Sequence, residues 1–176
     1  MSGLSLEIIF ILLLLLANGL FAMAEIAVVT SRKARLKNMS DEGHSGAKLA
    51  LALANSPGRF LSTVQVGITF VGVLASALGG ADIAERFAHV FDHMPVLAPY
   101  SELLSITIVV GILTYLSVII GELVPKRIAL NNPERIASGL ARPMYSLAKM
   151  FAPLVNLLNF SSDFLMAAIG IRKPKE

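Results

Sequence analysis

An all-α membrane protein with three transmembrane helices is the fold this sequence predicts, on three observations. Long uncharged apolar runs recur from Ile8 to Ala24, Phe60 to Ala81 and Leu103 to Gly121. Charged residues make up only 15% of the chain against 55% hydrophobic, with a mean hydropathy of +0.72; a soluble domain carries about 25% charge. Every Lys and Arg except Arg86 falls on one side of a three-crossing topology, the bias that marks a cytoplasmic face.

A spanning helix needs about 20 apolar residues, which places the spans at about 5–30, 60–81 and 102–124. No Lys or Arg precedes the first run and its only early charge is Glu7, so it is expected to remain as an anchor and not to be cleaved as a signal peptide. Ser31 to Phe60 alternates basic and apolar residues at helical spacing and is interrupted at Gly43–Gly46. Two juxtamembrane amphipathic helices lying along the cytoplasmic membrane surface are expected over about 31–57, with a soluble cytoplasmic hairpin as the alternative. Ser40 with Glu42 and Gly43 would close the first, Ser45 would open the second, and Pro57–Gly58 would form a turn. Between the second and third runs Arg86 stands alone against Asp82, Glu85, Asp92 and Glu102, an outward loop. A second juxtamembrane stretch is expected over about 132–171. Asn132 is its N-cap, Pro133 its first helical residue and Glu134 part of its first turn. Met150 to Ile171 is apolar but contains Pro153, Asn156, Asn159 and Asp163. A fourth crossing would strand Arg172, Lys173 and Lys175 outside, so this piece is expected to be re-entrant or in-plane. The N-terminus is then outside and the C-terminus in the cytoplasm, with the chain multi-pass in the inner (plasma) membrane.

The net charge of +3 and pI near 9.4 belong to that cytoplasmic face and do not suggest nucleic acid. Without cysteine there are no disulfides or thiolate metal sites. His89 and His93 are four apart, one helix face, but have no third ligand nearby for zinc. No nucleophile–base pairing, Gly-rich phosphate loop or metal motif supports catalysis, so an enzyme is not expected.

Polar and small residues form stripes inside the apolar runs. In the second span Ser62, Gln65, Thr69, Gly72 and Ser76 keep one helical face, as do Thr107, Gly111 and Thr114 in the third and Asn18, Ala22 and Glu25 in the first. Small residues on such faces also serve close helix packing, the simpler account of Gly67. The stretch "SVIIGELVPKR" closes the third run. A helical N–H at position 125 would bond the Gly121 carbonyl, and Pro125 has none, so that carbonyl is expected to be free beside the Glu122 carboxylate. Hard cations such as Mg²⁺ or Na⁺ take oxygen ligands of this kind, and broken helices with freed carbonyls build cation sites in transporters. The candidate ligand set is Glu122, Gly121, Glu25, Ser76 and Thr69, with Gly72 and Ala22 on the same stripes; Pro125, Lys126 and Gly67 are structural or hinge positions. The alternative is that Glu122 pairs with Lys126, or Glu25 with Arg32, at the headgroup level.

Three stretches carry a family resemblance: Glu25-Ile26-Ala27 after the first span, Asn55-Ser56-Pro57-Gly58-Arg59-Phe60-Leu61-Ser62-Thr63, and Gly121-Glu122-Leu123-Val124-Pro125-Lys126. Together they resemble the transmembrane domain of the CNNM/CorC magnesium transporter family, from Phe21 to about Asn159, in its hemolysin-like branch. The resemblance implies a homodimer of three-span domains, Mg²⁺ transport with Na⁺ coupling in some members, and paired cytoplasmic CBS domains, which this sequence lacks. Members associated with Mg²⁺ carry S-G-S-E before the E-x-A and G-N-T-x-x-N in the second span. Here Ala22-Met23-Ala24-Glu25 and Gly67-Ile68-Thr69-Phe70-Val71-Gly72 stand instead, without those hydroxyls and amides. Divalent-cation transport, most of all Mg²⁺ export, is therefore weighed against export of a polyamine or other organic cation, and against a non-transporting anchor or sensor for CBS domains.

Overall fold

The computed structural model describes residues 2–92 and 98–170; His93, Arg172, Lys173 and Lys175 lie outside the described residues. Within them the chain is helical without a strand: α1 (Ser2–Thr30), α2 (Lys33–Asp41), α3 (Ser45–Asn55), α4 (Pro57–Asp92), α5 (Ser101–Val118), α6 (Val124–Asn131), α7 (Pro133–Met150) and α8 (Ala152–Ala168). A 3₁₀ turn at Ala98–Tyr100 leads into α5, and a π-helical turn at Ile119–Leu123 carries α5 into α6.

Three rods are long and apolar enough to cross a membrane: Ser5–Thr30, Pro57–His89 and Ala98–Asn131. The second and third outrun the 60–81 and 102–124 expected from the uncharged runs, because helix continues through the charged flanks. α4 packs along both α1 and α5, while the π turn and α6 pack on α1. Large apolar side chains such as Leu13, Val73, Leu103 and Tyr115 remain exposed on these rods. That is the surface of an all-α membrane protein, whose solvent is lipid.

A second layer gathers at the Thr30 and Pro57 end. There α3 packs on α7, α2 on α3, and α7 on α1. The main core runs from the α1–α4 contact, where Phe21, Ala24, Val64 and Val71 are buried, into this junction, where Leu36, Ala50 and Leu53 from α2 and α3 meet Ala141 of α7, Val28 of α1 and Phe60 of α4. Small residues set the spacing. A Cβ added to Gly46 would overlap the Ser138 backbone carbonyl of α7, which cannot move without shifting the helix. Gly46→Ala is therefore expected to cost about 1 kcal/mol or more of stability, read as a lower thermal midpoint in detergent. An unchanged midpoint would mean that α3 and α7 separate freely.

The interruption at Gly43–Gly46 is a helix boundary. α2 ends at Asp41, Gly43 takes φ +91°, and α3 opens at Ser45; a positive φ is where glycine costs least. Pro57–Gly58 is not the expected turn. Pro57 is the first residue of α4 and the chain redirects at Ser56 alone, since proline's fixed φ suits a first helical position. Asn132 is the N-cap of α7, but its side chain makes no cap bond. The buried Glu134 caps another helix instead. It accepts the Arg32 N–H at the start of α2 at 3.3 Å and lies 3.7 Å from the Arg35 guanidinium, an anion where the helix dipole favours one. α8 is one continuous rod with only Val155 buried, without the reversal that a re-entrant segment requires.

Candidate cation site

Two carboxylates from different rods converge on one ammonium. Glu25 comes from α1, Glu122 from the π turn, and Lys126 from the next turn, in α6. Lys126 Nζ lies 2.7 Å from Glu122 Oε1 and 3.7 Å from Glu25 Oε2. The side chains of Glu25 and Lys126 are 26% and 29% exposed, that of Glu122 50%. Lys126 is thus more than a structural neighbour of the site: it occupies the point between its two anions. Of the two alternative pairings, that of Glu122 with Lys126 is present, while Glu25 pairs with Lys126 and not with Arg32, whose backbone is held by Glu134.

The π turn explains how proline sits here. Val124 N–H reaches back to the Ile119 carbonyl, five residues instead of four, and the helix runs on through Pro125 to Asn131. The expected break is therefore a widened turn, of the type that recurs at functional sites. α1 comes close against it. A Cβ on Gly19 would lie 3.0 Å from both the Ile120 carbonyl oxygen and Pro125 Cγ, and one on Gly121 would lie 3.0 Å from Asn18 Nδ2.

That approach corrects the expected free carbonyl at Gly121. Asn18 Nδ2 donates to Gly121 O at 3.4 Å, a buried contact between residues 103 apart. Tertiary packing supplies the donor that Pro125 withholds. The other end of the amide, Asn18 Oδ1, is buried with no hydrogen-bond partner. An oxygen left this way is costly unless something occupies it part of the time.

Asn18 stands in the wall of a cavity of about 300 Å³ between α1, α4 and α5. Its polar lining is Asn18, Ser76, Thr114 and Ser117; Ile11, Leu15, Val71 and Leu113 are among its apolar lining. Ser76 Oγ donates to the Gly72 carbonyl at 3.0 Å, so its hydroxyl oxygen keeps lone pairs for another donor or a cation. Gly72 also lines the cavity, and a Cβ there would meet nothing within 4 Å; this glycine opens space and does not serve packing. Gly67 does serve packing, since an added Cβ would fall 2.6 Å from the Phe21 ring.

Two expected ligands stand apart. Thr69 is exposed and lines neither this cavity nor the second one described below. Ala22 is fully buried within unbroken α1, where its carbonyl belongs to the helical ladder, and it does not line the cavity. Asn18 and Ser117 join the polar lining of the cavity without belonging to the expected ligand set. Asn18 carried a signal, being an amide inside an apolar run on the stripe of Glu25. Among the described residues no three His, Asp or Glu side chains group as a metal cluster. The oxygen donors are two carboxylates at one level and a neutral amide and hydroxyls in the cavity.

Three apolar rods with a few polar groups turned between them define a multi-pass membrane domain. The chain belongs to the CNNM family: the family model described as "Cyclin M transmembrane N-terminal domain" matches residues 8–176. It is 51% identical over 170 residues to the UPF0053 protein sll0260 of Synechocystis, covering 97% of this chain and 38% of that protein. It is 30% identical over 174 residues to the UPF0053 protein YugS of Bacillus subtilis, covering 97% of this chain and 40% of that one. It is also 35% identical over 152 residues to a protein of Salmonella typhimurium named "Polyamine export protein", covering 86% and 34%. The chain thus spans about two-fifths or less of the length of these relatives.

Proposed function

We propose that this domain moves a cation across the bilayer, with Mg²⁺ as its leading substrate, exported against Na⁺ as coupling ion. The observation that carries the reading is the convergence of Glu25 and Glu122 on a single ammonium. Two carboxylates sharing one positive charge keep a negative charge between them, and a divalent ion displacing Lys126 would neutralise both. Mg²⁺ keeps several waters and is held by one or two carboxylates, so the serines and asparagines absent from this sequence are not indispensable. The cavity beyond, with Asn18 Oδ1, Ser76 and Thr114, offers oxygens to a partly hydrated ion. On this reading the domain is a transporter and no enzyme. It works as a homodimer in the cell's inner membrane, N-terminus outside, coupled to cytoplasmic CBS domains in the whole protein.

One observation favours a second substrate class. The group already seated between the carboxylates is a primary ammonium on an alkyl chain, and the adjoining cavity is walled largely by apolar side chains. A polyamine has that chemistry, and a relative is named for exporting one. Proteoliposomes offered Mg²⁺ and putrescine separately discriminate. Mg²⁺ movement that putrescine inhibits only weakly is the expected result. Putrescine movement without Mg²⁺ movement would transfer the proposal to organic cations. Movement of neither, with the folded dimer confirmed, would leave an anchor or sensor.

A further inference from the structure

The run Asn55 to Thr63, which the cation site leaves unused, converges on a second cavity. This cavity, of about 230 Å³, lies where α3 ends, α4 begins, α7 ends and α8 begins. Ser56, Arg59, Phe60 and Thr63 line it from that run, Tyr145 and Lys149 from α7, and Ala152 and Val155 from α8. Its lining contains two cations and no carboxylate. Neither Arg59 nor Lys149 has an ion-pair partner among the described residues. Two like charges facing one concavity repel, and an anion between them removes the repulsion. α4 opens at Pro57 beside the same cavity, so the positive end of its dipole adds in sign.

The surroundings say where the anion comes from. Arg59 stands at the start of the apolar rod Pro57–His89. α8, which walls the cavity through Ala152 and Val155, runs on from it with exposed apolar side chains along its flank and outer face: Leu158 at 45%, Leu165 at 61% and Phe160 at 71%. A polar headgroup pocket continuous with an exposed apolar rod matches a molecule with a phosphate at one end and acyl chains at the other. We propose that the cavity between α3, α4, α7 and α8 binds the phosphate headgroup of an anionic membrane lipid, with Arg59 and Lys149 as its cationic ligands. The Tyr145 and Ser56 hydroxyls add neutral donors, and the acyl chains lie along α8. Such a lipid would tie α8 to α4, which otherwise meet at few side chains, among them Ser62 Oγ and Asn159 Oδ1 at 3.5 Å.

Native mass spectrometry of the chain released from nanodiscs of mixed phosphatidylglycerol and phosphatidylcholine tests this. The wild type is expected to retain phosphatidylglycerol selectively. Arg59→Gln and Lys149→Gln should each lower that retention about fivefold, Arg59→Lys should keep most of it, and Arg135→Gln, away from the cavity lining, should leave it unchanged. Undiminished retention in the double glutamine variant overturns the proposal. If the glutamine variants fail to fold, photo-crosslinking of wild type with a phosphatidylglycerol probe decides. Labelling at Tyr145, Lys149 or Ala152 supports the site, and labelling only elsewhere refutes it. Displacement of the lipid by millimolar inorganic phosphate would overturn the lipid as occupant in favour of a soluble phosphate compound.

Discussion

Glu122→Gln is expected to lower cation binding and movement by about a hundredfold while leaving the fold intact. Loss of groups that merely support a metal ligand costs about 10–100-fold, and loss of a ligand should reach the top of that range. The substitution keeps the shape and leaves an amide oxygen able to accept from Lys126. It removes the charge, so that Glu25 and Lys126 balance each other and no net negative charge remains to attract a cation. Half of the Glu122 side chain is exposed, so neither burial nor packing stands to suffer from the amide. Proteoliposome flux beside calorimetric titration of the divalent ion reads the effect. Glu134→Gln serves as the comparison, because Glu134 is bonded to the start of α2 and stands outside the site. Transport unchanged in Glu122→Gln would remove the carboxylate pair as the cation site.

The three rods were legible because long uncharged runs have few other uses in a chain of this length, and the break between α2 and α3 because glycine at Gly43 relieves a local backbone need. Both are properties of neighbouring residues. The extent of the third rod was less legible. Pro125 reads locally as a helix breaker, yet the π turn absorbs it and the helix persists to Asn131. What stabilises that turn is the approach of Gly19 and Asn18 on α1, about a hundred residues away, and no local pattern reports it.

The candidate site was legible by chemistry more than by position. Glu25, Glu122 and Lys126 stood out as charges at the ends of apolar runs, and they do meet. The second-span stripe proved uneven: Gly72 and Ser76 reach the cavity while Thr69 does not. Thr69 is one heptad from Ser76, a drift of only about 20°, but it stands about 10 Å away along the helix axis, before Val71 where the α4 lining of the cavity begins, so a shared face does not give a shared depth. Asn18 shows the opposite limit. Its value lies in donating to one rod while leaving an oxygen open, a division of labour that only tertiary geometry reveals.

Lys126→Met separates the two cation readings. The ammonium between Glu25 and Glu122 is a tethered competitor, and any substrate held by both carboxylates must displace it. Removing it leaves two carboxylates without a counter-charge, which should tighten Mg²⁺ binding roughly tenfold to a hundredfold. The range lies between about 1 kcal/mol for an exposed pair and about 4 kcal/mol for unit charges 4 Å apart near a protein surface. Methionine retains most of the chain's length and apolar contact, so α6 should keep its place on α1. Tighter binding need not mean faster transport, because Lys126 returning to the carboxylates would help to expel the ion. Binding is therefore expected to rise while single-turnover release slows. If the natural substrate is a polyamine, the same variant should gain at least as much affinity for putrescine as for Mg²⁺, since the vacated position fits an alkylammonium. A variant that binds neither cation more tightly would show that Lys126 holds the carboxylates in place and does not compete for them, and the exchange step would fall with it.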